Sequence, residues 1–367
     1  MIVKSITLDF FRNYPHLETS FSPDVNVICG ENAQGKTNLL EAIGYLSTAS
    51  SRRARYDREL IQFGVDHAFV KAEVFSRERD FTLEARLGRS VRRQLLSNGV
   101  KLKTAGELAG VLNTVFFCPE DLMLIREGAA ERRRFLDECI CQLRPRYAAA
   151  LAEYRRLHEQ KTRILRDWEE KPSLLDTLDD FNLRMAQTGA ILIHYRAHFV
   201  RRLRETAPPI HREFSGGREE LGLKYETVST VTDPEGGVKD ILSALIAHQE
   251  SHRRAELESR QCLSGPHKDD LTVELGGVAA RQFASQGQTR TAALSLKLAE
   301  RELFEDDTGQ WPVLLLDDVL SELDQRRQSF VLNRIKGGHV FITCCEDEKL
   351  EHLEGGKVLR IHNGALV

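Results

Sequence analysis

The stretch that decides the fold runs from Val25 to Tyr45 and reads VNVICG, ENAQGKTN and LLEAIGY. Gly30, Gly35 and the pair Lys36–Thr37 fit the pattern G-x-x-x-x-G-K-[ST], which is the phosphate-binding P-loop. A short apolar run precedes this pattern, and apolar residues at helical spacing follow it. A strand, a glycine-bounded turn and a helix N-terminus thus come in the order that a P-loop requires. The sequence therefore predicts a nucleoside triphosphate site.

The residues of this turn have separate predicted tasks. Backbone N–H groups at the helix N-terminus would surround the phosphates, and Lys36 would reach the β- and γ-phosphates. The Thr37 hydroxyl would ligate Mg²⁺, which is therefore a predicted cofactor. The predicted nucleotide-binding residues are Gly30, Glu31, Asn32, Ala33, Gln34, Gly35, Lys36, Thr37 and Asn38.

A second pattern, near the C-terminal end, supports the first. Four apolar residues, Val313 to Leu316, lead directly into Asp317 and Asp318. Continuous apolar runs are typical of parallel strands buried on both faces, and ligands bind beyond the carboxyl ends of such strands. We therefore predict a Walker B strand, in which Asp317 holds Mg²⁺ and Asp318 orients or deprotonates the attacking water. Lys36 and Asp318 are the predicted catalytic residues.

Between these two patterns lies Ala284–Gln288, the sequence ASQGQ, which resembles the ABC signature LSGGQ. Its serine and amides would stand at a helix N-terminus and favour an anion, although an ordinary serine cap has the same pattern. In the ABC class that this order of motifs resembles, one subunit's signature closes over the other subunit's ATP, which implies an ATP-dependent homodimer. The predicted residues are Ser285, Gln286, Gly287 and Gln288 in the signature, Ser321 and Asp324 in the D-loop, and Thr343 at the switch position, where ABC transporters carry histidine.

Size and composition limit the class of protein. With 367 residues, 41% of them hydrophobic, the chain is long enough for two domains with ordinary cores. No apolar run reaches the roughly 18–20 residues that a membrane helix needs, and the N-terminus lacks the shape of a signal peptide. The seven cysteines include no CxxC pair, and His267 has no His/Cys cluster around it in sequence, so we expect no zinc site. We expect a soluble cytosolic protein with reduced thiols and no membrane partner.

Charge is distributed unevenly along the chain, whose formal net charge is −3. Residues 51–103 contain 13 Lys and Arg against 7 Asp and Glu. Such an excess indicates a surface for a polyanion, and a solvated face explains it equally well. The candidate DNA-binding residues are Arg52, Arg53 and Arg55.

Two further motifs each have two interpretations. Arg132–Arg134 stand at a predicted helix N-terminus, where the helix dipole disfavours cations. They indicate either an acidic or phosphate partner or three solvated side chains, and we expect the solvated arrangement. Gly265–Asp270 is interpreted as a structured turn before a strand, or as a contact with nucleotide or DNA.

The middle of the chain has a helical pattern. We expect Pro145 to open a helix, Pro172 to end it, and Pro208–Pro209 to end a second, antiparallel helix. Each helix would have roughly 30 residues and a length of about 45 Å at 1.5 Å per residue. The sequence ARQFAS from Ala280 is predicted as a strand. The predicted fold class is mixed α/β, an ABC-type ATPase head built from both chain ends with an inserted helical arm, divided into residues 1–125, 126–260 and 261–367.

Seven short segments across the chain resemble the bacterial RecF family of SMC-like DNA-repair ATPases. They are FRNY, GENAQGKTNLLEAI, FFCPEDL, RRRFLD, SGPHKDDL, ASQGQTR and LLLDDVLSELD. At Lys268 the family more often has arginine, which is a mild departure. The resemblance implies a nucleoid-associated recombination mediator that binds ATP and DNA, at single-strand/double-strand junctions and on duplex, and dimerises with ATP. It also implies slow, DNA-stimulated ATP hydrolysis and work with RecR and RecO to help RecA load at gaps.

Two alternatives come from other classes of protein. A transporter-associated ATPase would share the P-loop and the signature, but the 249 residues that separate Lys36 from Ser285 exceed the spacing of that class. A structural SMC-like protein would bind nucleotide without hydrolysing it, even with DNA present.

Overall fold

The fold divides into two compact units. The first joins both ends of the chain, residues 1–121 and 294–367, and the second consists of residues 122–293. The chain leaves the first unit close to the predicted division after residue 125. It returns later than the predicted residue 261, because Asp270–Leu275 pairs with Leu221–Glu226 inside the second unit. The computed structural model describes residues 1–320, 323–335, 337–345 and 356–367.

The strands follow the alternating and continuous apolar patterns of the sequence. At the hairpin turn formed by Asn98 and Gly99, the φ angles are 51° and 74°, both positive as a type I′ turn requires. In chain order the strands are β1 (Ile2–Phe11), β2 (Tyr14–Ser20), β3 (Val25–Cys29), β4 (His67–Ser76), β5 (Arg79–Gly88), β6 (Gln94–Ser97), β7 (Val100–Lys101), β8 (Thr114–Phe117), β9 (Leu221–Glu226), β10 (Asp270–Leu275), β11 (Val278–Ala279), β12 (Val313–Leu316), β13 (Val340–Cys344), β14 (Lys357–His362) and β15 (Ala365–Leu366).

Several helices begin or end at a proline or a glycine. Pro145 occupies the first turn of its helix, where the missing N–H costs nothing, so that prediction is confirmed. In chain order the helices are α1 (Lys36–Thr48), α2 (Met123–Arg126), α3 (Ala129–Leu143), α4 (Pro145–Asp167), α5 (Leu178–Ser215), α6 (Val238–Ser259), α7 (Ala280–Phe283), α8 (Gln286–Thr308) and α9 (Gln325–Arg334).

Two six-stranded sheets form the first unit. One has the order β2-β1-β4-β5-β6-β7 and its strand pairs are antiparallel. The other has the order β15-β14-β3-β13-β12-β8, and its strand pairs from β14 to β8 are parallel. Side chains of both sheets and of α1 share one hydrophobic core. Burial of this apolar surface holds the sheets together.

The parallel sheet brings the predicted motifs of the first unit together. Its neighbouring strands β3, β13 and β12 point the same way, so their carboxyl ends meet at one edge. The P-loop follows β3, Asp317 follows β12, and Thr343 is the penultimate residue of β13. Three segments that are distant in sequence are thereby neighbours at this edge.

In the second unit the long helix α5 packs against α4 and α6. The ion pair between Glu153 and Arg184 and the hydrogen bond between Tyr147 and Arg196 show that α4 and α5 are antiparallel, as predicted. A three-stranded sheet of order β11-β10-β9 completes the unit. A small hydrophobic cluster fixes α5 to α6.

The two helices differ in length, and the prediction that Pro208–Pro209 end the second helix is wrong. α4 has 23 residues, whereas α5 has 38 because it continues through Pro208 and Pro209 to Ser215. Each proline removes a helical N–H donor and normally kinks or ends a helix. Here the buried residues Ala207, Ile210 and Phe214 continue the apolar stripe past the prolines. Packing of that stripe outweighs the local cost.

The strand predicted from Ala280 is wrong. Residues Ala280–Phe283 form the short helix α7, and only Val278–Ala279 before them pair as a strand. Phe283 is 68% exposed, so its ring is not buried against a sheet. Alternation over so few residues does not distinguish a strand from a helical turn.

Candidate nucleotide-binding site

The P-loop turn has a backbone that only its glycines allow. Gly30 and Gly35 have φ angles of 155° and 122°. A Cβ atom on Gly35 would lie 2.8–2.9 Å from side-chain atoms of Asn13 and Tyr14, closer than van der Waals contact permits. Both glycines are therefore required by the turn as well as by the motif.

The FRNY segment holds the turn in place. Asn13 Nδ2 donates to the Gln34 carbonyl at 2.8 Å, and the Tyr14 hydroxyl donates to the Gly35 carbonyl at 2.8 Å. Asn38, on the first turn of α1, donates to Asn13 Oδ1 at 2.8 Å. Sequence reasoning used this segment only as a family resemblance. The structure gives Asn13 and Tyr14 a physical task, which is to fix the carbonyls of the turn.

Lys36 is buried at the N-terminus of α1, with 7% of the residue exposed. Its ammonium donates to the carbonyls of Gly30 and Glu31 at 2.6 and 2.9 Å. In the described part of the chain, no carboxylate lies within salt-bridge distance of this ammonium. A buried cation without a counter-charge, beside a helix N-terminus, is suited to bind an anion.

Thr37 and Asp317 meet where the sequence predicted a magnesium site. The Thr37 hydroxyl donates to Asp317 Oδ1 at 2.9 Å. Burial raises the pKa of Asp317, and hydrogen bonds from Thr37 and Thr343 act in the opposite direction. A hydroxyl and a carboxylate are the oxygen donors that Mg²⁺ takes in nucleotide sites. The donor set therefore fits the predicted ion.

Thr343 is a buried support for the Walker B acids. Its hydroxyl donates to Asp317 Oδ1 at 2.8 Å and accepts from the backbone N–H of Asp318 at 2.8 Å. Only 1% of the residue is exposed. The sequence placed Thr343 at the switch position, and the structure gives its hydroxyl the task of orienting both aspartates.

Asp318, the predicted base, has an unusual backbone. Its φ angle of 51° lies in the left-handed region that non-glycine residues rarely adopt. The Thr343 hydroxyl, which accepts the N–H of Asp318, holds this conformation. Such strain is common at functional sites because the surroundings must fix it.

The signature segment forms a reciprocal helix cap. The Ser285 hydroxyl accepts from the Gln288 N–H at 3.3 Å, and Gln288 Oε1 accepts from the Ser285 N–H at 2.8 Å. This is the capping-box arrangement at the start of α8. Ser285 and Gln286 are exposed, and Gly287 and Gln288 are half-buried. The cap explains the local sequence and leaves the predicted contact with a second subunit's ATP as a prediction.

The predicted D-loop is described only in part, because Ser321 and Glu322 lie outside the described residues. Asp324 is the N-cap of α9, and its side chain accepts from the Arg327 N–H at 3.0 Å. This contact is an ordinary helix cap.

The three candidate DNA-binding arginines differ in their surroundings. Arg52 forms an ion pair with Asp121 at 2.7 Å and is largely covered. Arg53 is exposed and donates to Asn38 Oδ1 at 3.2 Å, next to the P-loop. Arg55 is exposed and lies against the ring of Tyr56. Arg52 therefore has a structural partner, while Arg53 and Arg55 lie nearer to solvent.

The prediction of three solvated arginines at Arg132–Arg134 is wrong for the first two. Arg132 forms a two-pronged ion pair with Asp270, at 2.7 and 2.9 Å. Arg133 donates to the Asp269 carbonyl at 2.6 Å. The two motifs left open by the sequence therefore bind each other within the second unit. Sequence separation, more than 130 residues, concealed this pairing.

Three thiols lie beside the P-loop, although the sequence assigned them no role. Cys29 and Cys344 face each other across β3 and β13 with their Sγ atoms 3.1 Å apart. The exposed Cys345 has its Sγ atom 3.7 Å from the Lys36 Nζ atom and 3.2 Å from Asn32 Oδ1. Of the three, Cys345 contacts the P-loop directly.

Comparison with known proteins assigns the chain to a family. A family model described as the RecF/RecN/SMC N terminal domain matches residues 2–364. A protein of Agathobacter rectalis named DNA replication and repair protein RecF is 41% identical over 345 residues, which cover 94% of this chain and 92% of the relative. The protein of that name from Bacillus subtilis is 38% identical and covered completely, as is this chain. This chain belongs to the RecF family.

Solved structures agree with that assignment. A structure of the recombination mediator protein RecF with ATP in the RecFOR pathway is 34% identical, has a TM-score of 0.92, and covers 100% of this chain and 97% of its own. An Smc head domain from Pyrococcus furiosus, at 17% identity and a TM-score of 0.57, shares the fold. The predicted fold class, a mixed α/β ABC-type ATPase head from both chain ends with an inserted helical part, is confirmed. Within the described residues, no helix is long and apolar enough to span a bilayer.

Proposed function

We propose that this chain is an ATP-dependent, DNA-binding recombination mediator. The observation that carries the proposal is the cluster at the edge of the parallel sheet. There Lys36 is buried with no carboxylate beside it among the residues that the structure describes, and Thr37 and Asp317 share a hydrogen bond of 2.9 Å. A triphosphate would supply the missing anion, and Mg²⁺ would bind between the two oxygen donors. The RecF family and the ATP-bound relative support this proposal.

Each residue would contribute a separate step of the chemistry. The Lys36 ammonium would leave the carbonyls of Gly30 and Glu31 for the β- and γ-phosphates. Mg²⁺, when bound, neutralises charge on the phosphate oxygens. Asp318 would orient the attacking water, and its side chain is one methylene shorter than the Glu of many ABC proteins. We therefore expect weak, slow ATP hydrolysis.

A second copy of the chain would complete each site. Ser285 is exposed at the start of α8, where a helix N-terminus favours an anion. In the proposed ATP-bound homodimer, Ser285–Gln288 of one subunit would contact the γ-phosphate held by Lys36 of the other. Hydrolysis would then require two subunits, and closure would be the step that DNA promotes.

The proposed DNA contacts are phosphate contacts by arginines such as Arg53 and Arg55, with gapped duplex as the predicted substrate. Such contacts weaken as salt increases and do not depend on base sequence. RecR would be a direct partner, with RecO and RecA acting in the same process. The solved relative described as part of the RecFOR pathway supports these partners.

A mixing experiment tests the composite site. Lys36→Met and Ser285→Arg should each abolish ATP hydrolysis, because neither homodimer has an intact site. An equal mixture should regain a measurable fraction of the wild-type rate, since the mixed dimer pairs one intact Lys36 with one intact Ser285. If the mixture stays inactive while both variants still bind gapped DNA, the proposed dimeric site is wrong.

DNA binding by the same proteins completes the test. We expect ATP with Mg²⁺ to tighten binding of wild type to a fluorescent gapped duplex, and Lys36→Met to lose that effect. Lys71→Met, which removes a half-exposed cation on β4, is the matched control and should behave as wild type. Equal DNA affinity with and without ATP would contradict the proposal.

A further inference from the structure

Three metal-ligand side chains meet in the second unit, away from the P-loop cluster. His158, Cys262 and His267 each offer one ligand atom, and these atoms lie within 4.8 Å of one another. His158 is on α4, while Cys262 and His267 belong to the segment between α6 and β10. The ligand atoms of a tetrahedral zinc site are about 3.3–3.8 Å apart, so side-chain shifts of about 1 Å would close this cluster on an ion. The sequence predicted no such cluster around His267.

The ring of His267 is already oriented as in a ligand. Its Nε2 atom lies 2.9 Å from the Cys262 carbonyl, to which the Nε2–H donates. Nδ1 then carries the lone pair, and the Tyr154 hydroxyl donates to it at 2.7 Å. Metal-bound histidines are typically fixed in this way by a backbone carbonyl. Burial lowers the pKa of His267 to about 3, so its ring is neutral at physiological pH.

Cys262 offers a free thiol in a covered position. The residue is 6% exposed and forms no disulfide. Burial raises the pKa of this thiol to about 11, so it carries a proton unless a cation replaces that proton. The nearby Lys161 ammonium does not oppose a metal ion strongly, because Glu256 neutralises it at 2.6 Å.

The segment that carries two of the ligands is fixed before any ion binds. Gly265 has a φ angle of 131°, and a Cβ atom there would collide with the Tyr154 hydroxyl. Glu256 accepts the N–H groups of Leu263 and Ser264, at 2.8 and 3.3 Å. A site that is ordered in advance loses little entropy when the ion binds.

A cavity gives access to the cluster. It has a volume of about 310 Å³ and is lined by Tyr154, His158 and His267 among other residues of the second unit. Water from this cavity would supply a fourth ligand. One sulfur and two imidazole nitrogens favour zinc-like ions and not Mg²⁺ or Ca²⁺, which prefer oxygen ligands.

We propose that His158, Cys262 and His267 bind a zinc-like divalent cation. The ion takes the thiol as thiolate and releases one proton. Bound there, it fastens α4 to the segment before β10 and stabilises the second unit. This site is independent of ATP, so failure of the proposed nucleotide chemistry would leave it untouched.

Cobalt is the probe, because a thiolate bound to Co²⁺ gives a charge-transfer band in the near ultraviolet. The full chain is freed of metal with a chelator, reduced, and titrated with Co²⁺ without nucleotide. We expect one equivalent to produce the band, Zn²⁺ to remove it, and both ions to raise the melting temperature. No band at stoichiometric Co²⁺, or binding without a shift in melting temperature, would overturn the proposal.

Matched variants locate the ion. Cys262→Ala should lose the band, and Cys141→Ala, which removes a half-buried thiol of the same unit, should keep it. A band that persists in Cys262→Ala but disappears in Cys345→Ala would place the ion beside the P-loop and overturn the proposal.

Tyr154→Phe and His158→Gln are the second pair. Tyr154→Phe removes the hydroxyl that competes for His267 Nδ1, so Co²⁺ affinity should rise several-fold or more while the band remains. His158→Gln should weaken binding at least tenfold, and its melting temperature without metal shows whether it folds. Unchanged affinity in both variants would exclude these side chains as ligand and competitor.

Discussion

Two buried cations, one in each unit, differ in the partners that balance their charge. Arg196 on α5 is 3% exposed, and its guanidinium pairs with Asp137 and Asp269, both at 2.8 Å. Lys36 on α1 is 7% exposed and donates only to main-chain carbonyls among its oxygen partners in the described residues. Arg196 is neutralised by two carboxylates of the second unit, whereas Lys36 has no carboxylate partner among the described residues.

The difference separates structure from function. A buried charge is costly unless it is paired and hydrogen-bonded. The ion pairs of Arg196 with two aspartates offset that cost within the protein. Removal of one partner should therefore lower the stability of the fold. The carbonyls around Lys36 offset the cost of burying its charge only partly. An anionic ligand that binds there should therefore stabilise the folded protein. The first cation should control stability and the second should control nucleotide binding.

The largest expected effect is on Arg196. Arg196→Met removes the cation that Asp137 and Asp269 share, which leaves Asp137 only the exposed Arg155 at 3.2 Å, and should lower the free energy of unfolding by about 3–5 kcal/mol. Denaturant unfolding of the nucleotide-free protein measures it. The control on the same helix is Arg184→Met, which breaks a half-exposed ion pair with Glu153 and should cost less than about 1 kcal/mol. Equal effects of the two changes would remove the contrast.

Lys36→Met should reverse that pattern. The unfolding free energy without nucleotide should stay unchanged or rise, because a buried ammonium with no carboxylate partner in the described part of the chain is replaced by an apolar side chain of similar length. Nucleotide at one hundred times its dissociation constant should stabilise wild type by about 2.7 kcal/mol. The variant should lose this gain under the same conditions. A stability loss without nucleotide as large as that of Arg196→Met would contradict the account.

Thr343→Val tests the support beneath the Walker B acids. It removes the hydroxyl that contacts Asp317 and the Asp318 N–H while keeping the shape of the side chain. Because buried partners lose their hydrogen bond, we expect a loss of about 1–3 kcal/mol in unfolding free energy. The Mg²⁺ concentration needed for nucleotide binding should also rise. Thr82→Val, on β5, is the control and should change neither quantity by much.

His339 extends the comparison to a base that is buried without charge. Burial lowers its pKa to about 4, and the Val3 N–H donates to its Nδ1 atom at 2.9 Å. Because the folded pKa lies below the unfolded value of about 6.5, stability is complete above pH 6.5 and falls as the pH decreases toward 4. At pH 5.5 the loss should be about 1 kcal/mol.

His339→Asn is the matched control for this pH effect, since its oxygen can accept the same N–H but does not titrate. Unfolding free energies of both proteins at pH 8 and pH 5.5 give the contribution of His339 as the difference between their two losses. The same loss in both would show that other groups cause the acid sensitivity.

The sequence correctly predicted that the P-loop and Asp317 meet at one edge of a sheet, because the two motifs are local. The glycines, Lys36 and Thr37 stand within eight positions, and parallel strands necessarily bring Asp317 to the same edge. The contacts of Thr343 with Asp317 and Asp318 could not be predicted, because they depend on which hydroxyl lies next to the end of β12. It required the pairing of β13 with both β3 and β12.

The second unit was harder to predict for a physical reason. Its polar groups pair across long separations, as Arg132 does with Asp270 and His158 with His267. No local propensity encodes such pairs. The same holds for Pro208 in α5, where burial of the surrounding stripe outweighs a strong local signal. Tertiary contacts decided each of these features.

The central claim is that ATP closes two copies of this chain on DNA. The most direct test is the rate of ATP hydrolysis per subunit as a function of protein concentration, with and without gapped duplex DNA. The account predicts a rate that rises with concentration and rises further with DNA, because each site needs the other subunit's Ser285. A rate per subunit that is independent of both would contradict it and leave only a nucleotide-binding P-loop.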